Sequence, residues 1–168
     1  LPKIRATIHL DMIFTMLDVD KFMVFPPLIT GPHKCKSFHM SCSKGEIKSI
    51  TEYSGIRKSM KALGIEATFI NCGGDKPFAK EREQWTSGAN FFTFAPGQVI
   101  GYNHNKETFN ALNKAGFEII AANDIITDKR SIESGKLIAV AMDGAELSRG
   151  GGGCRCMTMP VNRDKVNW

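Results

Sequence analysis

The chain has 168 residues, of which 42% are hydrophobic, and a formal net charge of +5 at pH 7. This length and composition favour one domain with a core of its own. We expect no membrane binding, because no apolar run approaches the roughly 18 residues of a membrane span. We also expect no nucleic-acid binding, because the basic residues are scattered without interleaved aromatic residues. The five cysteines form no regular framework, which indicates free thiols in a reducing compartment and predicts a cytoplasmic location.

The first predicted element is a strand over residues 7–17, where apolar side chains occupy alternate positions. Side chains two residues apart in a strand share a face, with Cβ atoms about 7 Å apart, so His9 and Asp11 would lie side by side. A histidine next to a carboxylate on the face away from the core favours a functional role over a structural one. A second strand is predicted over 21–26, after the turn residues 18–20.

Residues 27–53 are predicted to form an irregular insert in a single domain that covers residues 1–168. The insert contains four residues of zinc-ligand type, which are His33, Cys35, His39 and Cys42. Their spacing lacks a second close cysteine pair, and the lysines around them are more typical of a solvated loop or hairpin. We therefore expect no metal site and no cofactor.

The pattern of strand, strand, helix and strand occurs twice along the chain, which makes an internal ββαβ repeat of an α/β fold. The first unit continues with a helix over 54–63, ended by Gly64, and a strand over 66–71. The second unit has strands over 89–95 and 98–103, a helix over 106–115 ended by Gly116, and a strand over 117–122. Strands over 136–142 and 155–161 would begin or complete a further unit.

A charged run at residues 81–84 lies between the two units. The simplest interpretation is the solvated face of a helix. If the run has a role at a functional site, bracing a loop of that site is favoured over direct chemistry.

Four glycines at 150–153 lead into Arg155 and Cys156. Such a run is typical of close backbone approach or unusual dihedral angles, and the cationic neighbour favours a reactive thiolate at Cys156. The alternative is a buried strand cysteine that behaves as a small hydrophobic residue.

Short motifs with polar and glycine residues are spread along the chain from residue 8 onwards. They are His9-Leu10-Asp11, Phe14–Asp18, Cys72–Asp75, Glu81–Trp85, Gly88–Asn90, Ala95–Gly97, Tyr102, Glu146–Gly150 and Arg155–Pro160. In this order they resemble the C-terminal part of arginine deiminase. The resemblance implies a pentein fold, a propeller of five ββαβ modules of which this chain would hold the C-terminal two to three.

The resemblance also implies hydrolysis of L-arginine to L-citrulline and ammonia through a covalent Cys-amidino intermediate. Cys156 would be the nucleophile, His9 the acid and then the base, and Asp11 a ligand of the guanidinium group. Arg155 and Arg149 are candidates for binding the substrate carboxylate, or else arginines that brace a loop. Many family members carry an arginine where this chain has Gly151, so the residue that recognises the carboxylate stays open.

Two other functions stay open from the sequence. One is a related guanidino enzyme, an amidinotransferase or a deiminase of another guanidine, because the same chemistry serves an amine acceptor as well as water. The other is an inactive fragment that acts as a binding module.

The resemblance implies that this chain holds only part of a site. Two further carboxylates that clamp the guanidinium, an aspartate and a glutamate, belong to the N-terminal part of family members. Open strand edges in a partial propeller also favour association. We therefore expect the partner to be the N-terminal portion of the same enzyme or a second copy of this chain.

Overall fold

The computed structural model describes residues 1–165 and has a mixed α/β fold built from two main sheets, called the first and the second sheet below, and a separate two-stranded hairpin. The first sheet has the order β1-β2-β5 and contains β1 (Phe14–Met16), β2 (Lys21–Val24) and β5 (Thr68–Asn71). β1 and β2 are antiparallel, whereas β2 and β5 are parallel. The connection to β5 carries α2 (Ile56–Ala62), so this unit has the predicted ββαβ order.

The insert at 27–53 is less irregular than expected: most of it forms a hairpin, which was one of the two forms that its lysine-rich sequence favoured. It contains α1 (Pro26–Ile29) and the antiparallel hairpin of β3 (Ser37–Ser43) and β4 (Glu46–Tyr53). The strands are joined by Lys44 and Gly45, both at positive φ, as a tight two-residue hairpin turn requires. A bulge at Ser41/Cys42 shifts the register of the two strands. The apolar side chains of the hairpin are exposed rather than buried; they are Phe38, Met40, Ile47 and Ile50.

The second sheet has the order β6-β7-β9-β8. Its strands are β6 (Phe92–Ala95), β7 (Gln98–Tyr102), β8 (Glu118–Ala121) and β9 (Ile138–Met142). Helices α4 (Lys106–Lys114) and α5 (Ala122–Ile126) precede and follow β8, and α3 (Pro77–Trp85) precedes the whole sheet. β9 lies between β7 and β8, parallel to both, so it does not begin a further unit as expected.

The position of β9 follows from its sequence. Ile138, Ala139 and Val140 are consecutive and all buried. A strand that is apolar on both faces needs cover on both faces and partners on both edges, which the centre of a parallel sheet provides.

The strands predicted at the two ends of the chain are wrong in extent. The predicted strand over 7–17 starts at the end of a 3₁₀ turn at Arg5–Thr7 and contains a second one at Leu10–Met12 before the short β1. Residues 155–161 begin with a 3₁₀ turn at Arg155–Met157. At the N-terminal end Ile8 and Leu10 face solvent whereas Met12 is buried, and at the C-terminal end Met159 and Val161 are 81% and 90% exposed. In these two segments, the alternation of apolar residues therefore does not indicate a strand with one buried face.

The main core lies between the two sheets and α4. It includes Leu17, Met23, Phe91, Val99 and Leu112, all buried. Because this core joins the end of β1 to the start of the second sheet, it fixes both sides of the candidate site described below. Among residues 1–165, no helix combines the length and the hydropathy needed to cross a membrane.

Candidate functional site

Three side chains that are far apart in the sequence meet at the surface. Cys156 Sγ lies 3.9 Å from Asp11 Oδ2, and His9 Nδ1 lies 3.9 Å from Asp11 Oδ1. One donor atom from each residue lies within 4.8 Å of the other two. The His9 side chain is 63% exposed and that of Asp11 is 25% exposed, so the cluster is open to a small molecule. The structure thus brings together the three predicted catalytic residues.

His9 and Asp11 are held by a turn rather than by a strand. His9 has extended backbone and precedes the Leu10–Met12 turn, which contains Asp11. The fully buried Gln84 donates Nε2 to the carbonyls of Ala6 and Met12, at 2.7 and 2.6 Å. The segment is therefore fastened on both sides of the two candidate residues.

The glycine loop is required for the position of Cys156. Gly151 and Gly152 both have φ of +86°, a region that side-chain-bearing residues rarely adopt. A Cβ atom at Gly152 would lie 3.0 Å from Cys156 Cβ, and one at Gly153 would lie 2.6 Å from the Asn90 carbonyl oxygen. The predicted close approach is confirmed.

The two cysteines after the loop have different environments. Cys156 is exposed, so the alternative of a buried structural cysteine is wrong for it. Cys154 is the buried one, and burial raises the pKa of its thiol from the ordinary value of 9.0 to about 12. The loop therefore directs one thiol into the core and the other to the cluster.

Asn90 joins the two halves of the cluster, and the sequence did not reveal this role. Its side chain is buried, donates Nδ2 to the Asp11 carbonyl at 3.0 Å and accepts the Cys156 N–H on Oδ1 at 3.2 Å. The available signal was a polar residue at the start of an apolar strand, since such a residue needs a hydrogen-bonding reason to be buried.

The two candidate arginines lie in different places. Arg155 Nε lies 3.4 Å from Asp11 Oδ2, so Arg155 belongs to the cluster. Arg149 is strongly exposed and pairs with Glu146, with 3.2 Å between Nη1 and Oε2. The backbone of this loop is in turn bound by Arg5, which donates Nη2 to the Ser148 carbonyl at 2.8 Å and to that of Arg149. Arg5 also stacks over the Trp85 ring, 5.3 Å from its centroid.

The prediction that residues 81–84 form a solvated helix face is wrong for two of them. Glu83 and Gln84 are buried, at 1% and 0% exposure. Glu83 Oε2 accepts from Thr108 N and Oγ1 at 2.8 and 2.7 Å, and Oε1 accepts from Glu107 N at 3.0 Å. Glu83 thus caps the first turn of α4, while Gln84 holds the His9 segment, which is the bracing role considered from the sequence.

The same cluster is where metal-ligand types converge. Within residues 1–165, His9, Asp11 and Cys156 are the group whose donor atoms lie close enough to hold an ion, and the histidines and cysteines between residues 33 and 42 form no such group.

Fold and site define a mixed α/β protein with an exposed cysteine, a histidine and a carboxylate at one open cluster. A family model described as arginine deiminase matches residues 1–163. This chain therefore belongs to the arginine deiminase family.

Curated relatives agree with the family match. The arginine deiminase of Mycoplasma capricolum is 36% identical over 166 residues, which cover 99% of this chain and 36% of the relative. That of Bacillus cereus is 35% identical over 170 residues, with the same shares, and that of Streptococcus uberis is 37% identical over 164 residues, covering 96% of this chain and 34% of the relative. The chain thus spans about a third of the length of the curated relatives it matches.

Proposed function

We propose that this chain supplies the cysteine, the histidine and one aspartate of a site that hydrolyses L-arginine to L-citrulline and ammonia. The observation that carries the proposal is the convergence of Cys156, Asp11 and His9 at an open surface cluster. The relatives named above support the choice of arginine as substrate, since each is called an arginine deiminase.

The first half-reaction forms a bond to sulfur. The Asp11 carboxylate accepts N–H bonds from the planar guanidinium and holds it in line, as charge-assisted contacts do. The Cys156 thiolate attacks the guanidinium carbon, and His9 gives a proton to the departing nitrogen, which leaves as ammonia. The product is an S-amidino group on Cys156.

The second half-reaction returns the thiolate. His9, now neutral, takes a proton from water, and the resulting hydroxide attacks the amidino carbon. The carbon–sulfur bond then breaks, its electron pair returns to Cys156 Sγ, the hydroxyl proton passes to solvent, and citrulline is released. Both steps use the same three side chains.

Arg155 has a distinct place in this proposal. Its guanidinium contacts the carboxylate oxygen of Asp11 that also faces Cys156. A substrate guanidinium would bind the same carboxylate, so Arg155 gives up this contact on substrate binding and is then free to meet the substrate carboxylate. Arg149, paired with Glu146, is the second candidate for that carboxylate and would have to leave its present partner.

We further propose that the two ββαβ units are modules of a pentein-type propeller, with the rest of the site supplied by the N-terminal portion of the enzyme or by a second copy. The β1-β2-α2-β5 unit supports this because it has the order of one such module. The location of the cluster at the surface of this chain supports a second polypeptide segment over it.

The experiment is citrulline release from L-arginine by this chain, alone and mixed with the N-terminal portion of a relative. Cys156→Ala should abolish release, whereas Cys42→Ala, which changes an exposed cysteine on the hairpin, should leave it unchanged. Release that survives in Cys156→Ala, or no release from the chain either alone or in the mixture, would overturn the proposal. Adding glycine as an amine acceptor separates the outcomes further, since transfer of the amidino group would identify an amidinotransferase.

A further inference from the structure

We propose that His9, Asp11 and Cys156 also form a binding site for a Zn²⁺ ion, which sequesters the thiolate and switches the site off. That this ion inhibits catalysis rests on the proposed function, whereas the binding itself rests on the geometry alone.

The donor set suits zinc. A thiolate sulfur, an imidazole nitrogen and a carboxylate oxygen are its usual protein ligands, and zinc bonds of about 2.0–2.3 Å in a tetrahedron place neighbouring donors roughly 3.3–3.8 Å apart. Here Cys156 Sγ and Asp11 Oδ2 are 3.9 Å apart, and His9 Nδ1 and Asp11 Oδ1 are also 3.9 Å apart. These two distances end on different oxygens of Asp11, and one donor atom from each of the three residues lies within 4.8 Å of the other two. Side-chain rotations that shift these atoms by about 1 Å bring them to bonding positions.

The backbone beneath the three ligands is already fixed. Gln84 binds the carbonyls that flank His9 and Asp11, and Asn90 binds both the Asp11 carbonyl and the Cys156 N–H. Ion binding therefore needs side-chain movement only, and the exposed His9 ring has room for it. Three protein ligands leave a fourth position for water, which is the pattern of an open zinc site.

Arg155 opposes the ion. Its Nε lies 3.4 Å from Asp11 Oδ2, so a divalent cation on that oxygen would meet a fixed positive charge at short range. Removing this charge should strengthen zinc binding. An adventitious site at the exposed Cys42 on the hairpin, or at the exposed Cys35 just before it, would not respond to this change.

Co²⁺ is the probe, because a thiolate ligand to tetrahedral Co²⁺ gives a charge-transfer absorption, and Zn²⁺ is then added to displace it. The test protein is the full chain with Cys35→Ser and Cys42→Ser, which removes the exposed thiols other than Cys156. We expect the absorption in this protein, its loss in the further variant Cys156→Ser, and affinity lowered by more than about 100-fold in His9→Ala, because loss of an outer-shell contact alone costs 10–100-fold. Arg155→Ala should bind several-fold more tightly.

An absorption that persists in Cys156→Ser, or its absence from the test protein, would overturn the inference. Circular dichroism of each variant shows that it is folded; all changed residues are exposed. The two proposals fail separately: citrulline release that micromolar Zn²⁺ does not inhibit would contradict this inference alone, whereas a zinc-displaceable absorption without citrulline release would contradict the proposed function alone.

Discussion

At the scale of single residues, the candidate site depends on atoms that take no part in the proposed chemistry. Asn90 joins the Cys156 backbone to the Asp11 backbone, and Gly152 leaves the space that the Cys156 side chain occupies. His9 and Cys156 are exposed and Asp11 is half-buried, so their positions depend on the buried Asn90 and on the glycine loop.

Gly152→Ala should destabilise the chain by about 1–3 kcal/mol, since the new side chain would sit at a φ of +86° and press on Cys156 Cβ. Urea unfolding measures the change. Gly150→Ala is the matched control, because nothing lies within 4 Å of its added Cβ. Equal effects at the two glycines would contradict the account of the loop.

Asn90→Ala should cost about 1–3 kcal/mol, because it leaves the Asp11 carbonyl and the Cys156 N–H, both in partly buried hydrogen bonds, without their partner. It should also change the rate at which iodoacetamide alkylates Cys156, since the backbone under the thiol is released. Exposed Asn110→Ala on α4 should stay within about 0.5 kcal/mol. An alkylation rate unchanged in Asn90→Ala would show that Asn90 does not position the thiol.

At the scale of elements, the middle of each unit could be predicted and the ends could not. The helices end before Gly64 and Gly116, both at positive φ, and these glycines are visible in the sequence. The position of β9 between β7 and β8 could not be predicted, because the pairing of strands that are far apart in the chain leaves no pattern in the sequence of either strand.

The candidate site also has a part that the sequence predicted and a part that it did not. The identities of His9, Asp11 and Cys156 followed from motifs, but the expected mechanism of placement, a shared strand face, was wrong. The structure places His9 just before a 3₁₀ turn and Asp11 within it, and the buried Gln84 holds this segment from another element. When a distant element orients a side chain, the sequence around that side chain contains no pattern from which its position could be predicted.

Helix α3 joins the N-terminal segment to helix α4 through the polar contacts of Gln84 and Glu83. Glu83→Ala should destabilise the chain by about 3 kcal/mol or more, because it leaves the Thr108 and Glu107 N–H groups and the Thr108 hydroxyl without their acceptor. Chemical denaturation checks this. Exposed Glu81→Ala, two residues earlier, should be nearly neutral; a similar loss there would assign the effect to helix composition instead of the cap.

At the scale of the whole molecule, the buried thiols predict how stability depends on pH. Burial raises the pKa of Cys72 and of Cys154 from 9.0 to about 12. In the unfolded chain these thiols lose their protons at lower pH than in the folded one. Their stabilising contribution is therefore complete below pH 9 and is lost as the pH rises from 9 towards 12.

Each of these thiols should lower the free energy of unfolding by up to about 1.4 kcal/mol per pH unit in that range. Urea unfolding between pH 7 and 10.5 measures the slope. Cys154→Ala should reduce it, and Cys42→Ala, at an exposed site, should leave it unchanged. A slope unaffected by Cys154→Ala would mean that this thiol ionises equally in both states.

The chain matches its family over residues 1–163 and spans about a third of the length of its curated relatives. The chain belongs to the arginine deiminase family, and its cluster sits at an open surface. If a second segment completes the site, the chemistry should still pass through Cys156, because the thiol that the glycine loop presents lies on this chain.

The most direct test is to stop the reaction with acid during turnover of L-arginine labelled with ¹⁴C in the guanidino carbon, using this chain together with the N-terminal portion of a relative. Peptide mapping then locates the label. We expect it on the peptide that contains Cys156, and absent from Cys156→Ala. Label on another residue, or citrulline formed with no labelled peptide at any quench time, would contradict covalent catalysis by Cys156.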